Sequence, residues 1–416
     1  MHLIVTVHGM WGVSNHMNAI VNSIREKFGQ GVVIQNSRVN TFFNTYHGID
    51  QCGRRLHTEV LNCIGDYNAL HAPDNISSIS FIGYSAGGLI ARYCVGLLHA
   101  EGFFDKVTPT HFVTIATPHM GIRWTSRRVS GRLFNFFADQ IVNLYAGRTG
   151  LQLALADATE SCRVPLLLEM MTPGSIYFEA WKLFHFRYVY SNASNDNIVP
   201  YCTSSLSTHN KWRSGGGRGG NSKLTSDGHS DENVSLLDLQ KYKHLLDCVR
   251  VDGDRTEIVL SKPPECSMSD LLCFALLALV FSPLFLLHAL LVMLPLRIVS
   301  LCSPPSPPSS DTRTQPICQV ASDSLPIAPC RDQCPWLILQ HARTIPVYRV
   351  SVHIQGIHTH ALIICRHSHN PAGAEVIRHL VEEVLTQGQV QQSIHSGDGE
   401  DDSGNSVESV GVVITG

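Results

Sequence analysis

The chain is poor in charge. Only 16% of its 416 residues are Asp, Glu, Lys or Arg, with 31 basic against 34 acidic side chains and a net charge of −3. Such a balance leaves no basic footprint for nucleic acid, so no partner of that class is expected. A secretory leader is also missing from the pattern. Met1 runs almost directly into His2-Leu3-Ile4-Val5-Thr6-Val7, a short buried strand by composition, with no basic n-region and apolar h-region before it. The protein is therefore expected not to be secreted, and its 13 cysteines to be free thiols in a reducing compartment. Cys330 and Cys334 lack a second cysteine pair and lie in a Pro-rich stretch, which argues against zinc. The run Gly215-Gly216-Gly217-Arg218-Gly219-Gly220 is closed by no Lys-Ser or Lys-Thr pair, so it is not a phosphate loop. Neither a metal nor an organic cofactor is expected.

What is present is a nucleophile motif in the right setting. Ile76-Ser77-Ser78-Ile79-Ser80-Phe81-Ile82 reads as a buried strand, and Leu89 to Leu98 reads as a helix with an apolar face. Between them stands Gly83-Tyr84-Ser85-Ala86-Gly87. Gly-x-Ser-x-Gly between strand and helix is the nucleophile elbow of an α/β-hydrolase, with Ser85 held at a helix N-terminus that favours developing negative charge. Acyl transfer also needs two N–H donors for the tetrahedral oxyanion. In this fold one comes from the residue after the serine, and the other from the loop after an early strand. Here those residues are Ala86 and, in the His8-Gly9-Met10-Trp11-Gly12 turn, Met10.

Several motifs occur in order along the chain. They are Val7-His8-Gly9-Met10-Trp11-Gly12, Gly83 to Gly88, Ala116-Thr117-Pro118-His119-Met120-Gly121-Ile122-Arg123, Thr149-Gly150-Leu151-Gln152-Leu153, Asn195-Asp196-Asn197-Ile198-Val199-Pro200-Tyr201 and His360-Ala361-Leu362-Ile363-Ile364-Cys365-Arg366. Together they resemble a eukaryotic serine-esterase family that includes lipid-droplet phospholipases and acylglycerol lipases of fungi and plants. The resemblance covers most of residues 1–205 and again about 335–387, and it implies a serine hydrolase acting on acyl esters of lipids.

The triad order in such hydrolases is Ser, acid, His. Phe186 to Ser191 is strand-like and ends in a polar turn that carries Asp196, placed to accept from a histidine Nδ1–H. An Asx-turn role is the alternative for Asp196, and Asp157 and Asp66 are weaker rivals as the acid. Of the 22 histidines, the base is expected in the loop between the last strand, Val347 to Ile354, and the closing helix that begins near Ala374. His358 and His360 both lie there. His360 is favoured because its spacing to Ala361-Leu362-Ile363-Ile364 and Arg366 matches the family pattern. His119 is read either as part of the active-site rim or as an ordinary loop histidine.

The fold expected is an α/β-hydrolase: a mostly parallel sheet flanked by helices, with a helical cap-like segment and a hydrophobic membrane insertion. Residues 1–205 form the first part of the core. Within them, residues 123–184 carry helical patterns that the resemblance makes a cap shaping an acyl pocket, with core helices as the alternative. Residues 206–265 read as a flexible linker with a possible helix at 235–250, and 301–335 as a Pro/Ser-rich disordered tether. Residues 336–387 supply the last strand and helix, and 388–416 a loose tail. Within 266–300, the run from Leu271 to Leu296 contains no Asp, Glu, Lys or Arg. As one helix it measures about 39 Å, against a hydrocarbon core of about 30 Å. A single crossing would separate Asp196 from His360, whereas Pro283 near its middle suits two half-helices entering and leaving one leaflet. The expected location is the cytoplasmic face of the endoplasmic reticulum or a lipid droplet. The substrate would be a phospholipid or acylglycerol ester. A lipid acyltransferase using the same residues and a non-catalytic membrane-interaction protein on the same fold remain the alternatives.

Overall fold

The computed structural model describes residues 1–122, 146–159, 163–194, 196, 198–212, 236–238, 240–251, 331–356, 358–366 and 370–387. The chain opens with β1 (His2–Val7), α1 (Asn18–Phe28), β2 (Val32–Asn36), α2 (Ile49–His71), β3 (Ser78–Tyr84), α3 (Ala86–Ala100) and β4 (Thr108–Ile115). It continues with α4 (Leu166–Glu169), α5 (Ile176–Leu183), β5 (Phe186–Asn192), α6 (Tyr201–Ser205) and β6 (Leu245–Val251). It closes with α7 (Cys334–Ala342), β7 (Val347–Val352), α8 (Thr359–Leu362) and α9 (Pro371–His379), which runs into a π-turn at Leu380–Val384.

The strands form one seven-stranded sheet in the order β2-β1-β3-β4-β5-β7-β6. Every pairing is parallel except β6 with β7. A parallel sheet is covered on both faces, so its strands read as near-continuous apolar runs. In β1, Leu3 and Val5 belong to one core cluster and Ile4 to the other. The first cluster joins α2, α3, α4, α5 and α7 through residues such as Leu56, Leu89, Leu167, Trp181 and Ile338. The second joins α1 and α9 through Ile20, Ile24, Val376 and Ile377. The result is an α/β-hydrolase-like three-layer arrangement. From β1 the order runs outward to β2, then returns past β1 to β3, so the carboxyl ends of β1 and β3 flank the reversal where such sheets place their sites.

Three sequence expectations change. Leu245–Val251 is an antiparallel edge strand, not part of a helix at 235–250. Its mixed run Leu245-Leu246-Asp247-Cys248-Val249-Arg250-Val251 belongs to a strand with one open edge, where Arg250 is exposed and buried Asp247 pairs with Lys211 at 2.7 Å. The described part of the expected cap is core: Tyr177 and Trp181 of α5 are buried against α3, with Tyr177 filling the space beside Gly96. His119 is fully buried, so it forms no rim. Residues 123–145, the Gly-rich run at 215–220, the apolar run 271–296, the tether at 301–330, Cys330 and the tail from 388 onward lie outside the described residues. Among the described residues no helix is long and apolar enough to cross a membrane, and no group of His, Cys, Asp or Glu is arranged to hold a metal. The described cysteines, including buried Cys52, Cys94, Cys248 and Cys334, are free thiols.

Candidate active site

Ser85 follows β3 directly and forms the N-cap of α3 with φ 53° and ψ −131°. A non-glycine residue at positive φ is held there only by its surroundings. The Ser85 N–H donates to Ile115 C=O at 2.8 Å, and its C=O accepts from Thr117 Oγ1 at 2.8 Å. Both backbone groups of the strained residue are thereby tied to β4 and the turn after it.

His360 lies in α8, beyond β7, and Asp196 lies beyond β5. His360 Nε2 is 2.9 Å from Ser85 Oγ, and His360 Nδ1 is 2.8 Å from Asp196 Oδ2. Asp196 Oδ1 accepts from the N–H groups of Ile198 and Val199, both at 2.9 Å. The Asx-turn contacts and the contact to histidine therefore coexist, one on each carboxylate oxygen. An ionised carboxylate only accepts, so Nδ1 carries the proton and Nε2 is left as the acceptor facing the Ser85 hydroxyl. Ser85 and His360 are each 8% exposed, whereas His358 is exposed at the N-cap of α8. Of the rival acids, Asp157 accepts from the Leu166 N–H, and Asp66 lines an open groove beside Glu59 and Arg55.

The turn after β1 approaches the serine closely. A Cβ on Gly9 would lie 2.6 Å from Ser85 Cβ, so only glycine admits this approach. In this turn Trp11 N–H donates to Thr45 Oγ1 and Gly12 N–H to Gly9 C=O, which fixes the backbone on either side of Met10. Ala86 is the first residue of α3, where an N–H has no intrahelical acceptor. His8 is buried with Nδ1 3.0 Å from Gly9 C=O, and burial lowers its pKa, which keeps the ring neutral.

Two further groups of residues touch this site, and of their members only His119 was singled out from sequence. Tyr84 Oη donates to the His360 carbonyl oxygen at 2.8 Å, and its ring lies 5.1 Å from the imidazole. Below the elbow, Arg92, His119, Thr114 and Thr117 form a buried polar cluster. Tyr84 occupies the variable position of Gly-x-Ser-x-Gly, so the motif itself carries no signal for it.

Residues 1–208 match the family described as "Putative serine esterase (DUF676)". The chain belongs to that family. It is 29% identical over 215 residues to "Putative lipase C4A8.10" of Schizosaccharomyces pombe, a match covering 49% of this chain and 26% of that protein. It is 31% identical over 212 residues to "Putative lipase ROG1" of Saccharomyces cerevisiae, covering 49% and 28% respectively. The match thus spans little more than a quarter of these longer relatives. Among solved structures, phospholipase PlaB from Legionella pneumophila in complex with thio-NAD aligns at TM-score 0.30 and 14% identity, over 50% of this chain and 42% of that one. The family match contains Ser85 and Asp196 and ends well before His360.

Proposed function

We propose that this protein is a serine esterase that cleaves carboxylic ester bonds of lipids through an acyl-enzyme on Ser85. The observation that carries the reading is the unbroken path from Ser85 Oγ through His360 Nε2 and Nδ1 to Asp196 Oδ2, at 2.9 and 2.8 Å. His360 Nε2 takes the Ser85 proton as Oγ attacks the ester carbonyl carbon. The N–H groups of Met10 and Ala86 hold the resulting oxyanion. His360 then returns the proton to the departing alcohol. It next takes a proton from water as the water attacks the acyl carbon, then gives that proton to Ser85 Oγ as the acyl C–Oγ bond breaks and the fatty acid leaves.

The lipid character of the substrate is supported by the family and by the names of the yeast relatives. We place the reaction at the cytoplasmic face of the endoplasmic reticulum or of a lipid droplet, with 271–296 as a one-sided anchor. The support is the absence of charge between Asp270 and Arg297. Asp196 and His360, which flank that run in sequence, also meet at one serine. The test is a panel of phospholipids and mono-, di- and triacylglycerols given to the purified full chain in detergent, with and without an added alcohol acceptor. Free fatty acid from one of these classes is expected. Acyl transfer to the alcohol with no fatty acid released would make the protein an acyltransferase. Turnover of no ester would leave the non-catalytic reading.

A further inference from the structure

Arg92 is a buried cation that pairs with no carboxylate among the described residues. It lies on α3, two turns after the serine, and is 0% exposed. One terminal nitrogen is 2.8 Å from His119 Nδ1, the other contacts Met171 Sδ at 3.9 Å, and the guanidinium carbon lies 4.6 Å from the Trp181 ring centroid. Its Nε has no partner among the described residues. Arginine can only donate, so His119 Nδ1 must accept and Nε2 must carry the ring proton. That N–H points to Thr114 Oγ1 at 3.0 Å, and the threonine hydroxyl donates onward to Tyr188 C=O at 3.4 Å. The chain of donors runs one way, from α3 through the turn after β4 to β4 and β5. Burial and the adjacent guanidinium hold the His119 pKa far below its ordinary value, consistent with a ring that stays neutral.

The same turn carries Thr117, whose hydroxyl donates to Ser85 C=O. Gly88 leaves the room for it, since a Cβ there would lie 2.3 Å from Thr117 Oγ1. We infer that Thr117 is a positioning residue that holds Ser85 in its strained reactive conformation, and that the Arg92–His119 pair holds Thr117 in place. The inference rests on the reading of Ser85 as nucleophile.

Stability alone does not explain Arg92. Even a buried ion pair is often replaced by apolar side chains of similar volume at no loss of stability, and Arg92 bears its desolvation cost without a carboxylate among the described residues. What Arg92 supplies that methionine cannot is a donor to His119 Nδ1, and hence the orientation of the turn from Thr117 to His119. Without the Thr117 hydroxyl, Ser85 C=O loses its shorter donor and keeps the Gly88 N–H at 3.2 Å, and Oγ drifts from His360 Nε2. A displacement of about 1 Å costs roughly 10²-fold in rate.

The experiment compares Thr117→Val, Thr117→Ser, Arg92→Met and wild type as full chains. It measures fluorophosphonate labelling rate, kcat and KM on a short soluble ester, and Tm. Thr117→Val is expected to lose roughly 10²-fold in labelling rate and kcat at near-constant KM, and Thr117→Ser to recover most of it. Arg92→Met is expected to lower kcat while Tm holds or rises. Labelling of Thr117→Val at the wild-type rate would overturn the role of Thr117. Full kcat in Arg92→Met would overturn the role of the pair. If Thr117→Val fails to fold, Thr117→Ser and Arg92→Met still decide: a serine variant that folds but stays slow contradicts the inference. Wild type that does not label would overturn the nucleophile reading itself, and this inference with it.

Discussion

The Tyr84 hydroxyl donates to the backbone carbonyl of His360 at 2.8 Å, joining two residues 276 positions apart. Tyr84 immediately precedes Ser85, and His360 arrives on a segment separated from the elbow by most of the chain. This bond therefore registers His360 against Ser85 through the His360 backbone, independently of the Nε2–Oγ contact. Tyr84→Phe is expected to lower kcat on a soluble ester by roughly 10- to 100-fold, with a small change in KM. Unfolding in urea should show a loss of about 1–3 kcal/mol. Wild-type kcat in a folded Tyr84→Phe would show that the loop needs no such tie.

Asp196 accepts three hydrogen bonds, two from backbone N–H groups and one from His360. Asp196→Asn preserves shape, but the amide can offer a donor to Nδ1 and favour the wrong tautomer. A fall of about 10⁴ in kcat is expected, with the fold intact by circular dichroism. A fall of less than tenfold would assign Asp196 to the turn alone.

Gly9→Ala tests the approach of the β1 turn to the serine. Its Cβ would lie 2.6 Å from Ser85 Cβ, so the turn carrying Met10 must retreat. Loss of one oxyanion donor costs roughly 10²- to 10³-fold in kcat, and that loss is expected in steady-state kinetics. Gly65, in α2, has nothing within 4 Å of a would-be Cβ. Gly65→Ala is expected to keep wild-type kcat and gain about 0.5–1 kcal/mol in stability.

The elbow was legible because it is local: strand, Gly-Tyr-Ser-Ala-Gly and helix are contiguous, and tight-turn sterics dictate the residue types. The region of His360 was legible for a related reason, since a loop after the last strand is the place this fold keeps a base. The parallel core strands β1, β3 and β5 were equally visible as apolar runs. Edge strand β6 was not, because Asp247 and Arg250 interrupt its pattern and only pairing with β7 makes it a strand. His119 was misread as a rim residue because its burial depends on Arg92 and Thr114, which meet it only in three dimensions. Arg92 drew no reading from the sequence, because the segment from Leu89 to Leu98 showed only a helix with an apolar face, whereas α3 is buried on nearly every side.

Glu169, in α4, has its pKa raised from 4.5 to about 7, first by burial and then by Asp157. The folded state therefore keeps this proton at pH values where the unfolded chain has released it. Stability from this group is fully present below about 4.5 and is lost as pH rises through about 7. Glu169→Gln is expected to be more stable than wild type at pH 8, by up to about 3 kcal/mol, and nearly equal to it at pH 4.5. Parallel urea curves at the two pH values measure this. An equal difference at both would show that ionisation of Glu169 is not involved.

Under the proposed function, Ser85 is the residue that takes up the acyl group. Intact-mass and peptide mass spectrometry of the full chain after fluorophosphonate treatment tests it most directly. One adduct per chain is expected, located on the peptide that contains Ser85, and none on Ser85→Ala. An adduct that persists in Ser85→Ala, or that maps to another residue in wild type, would contradict it.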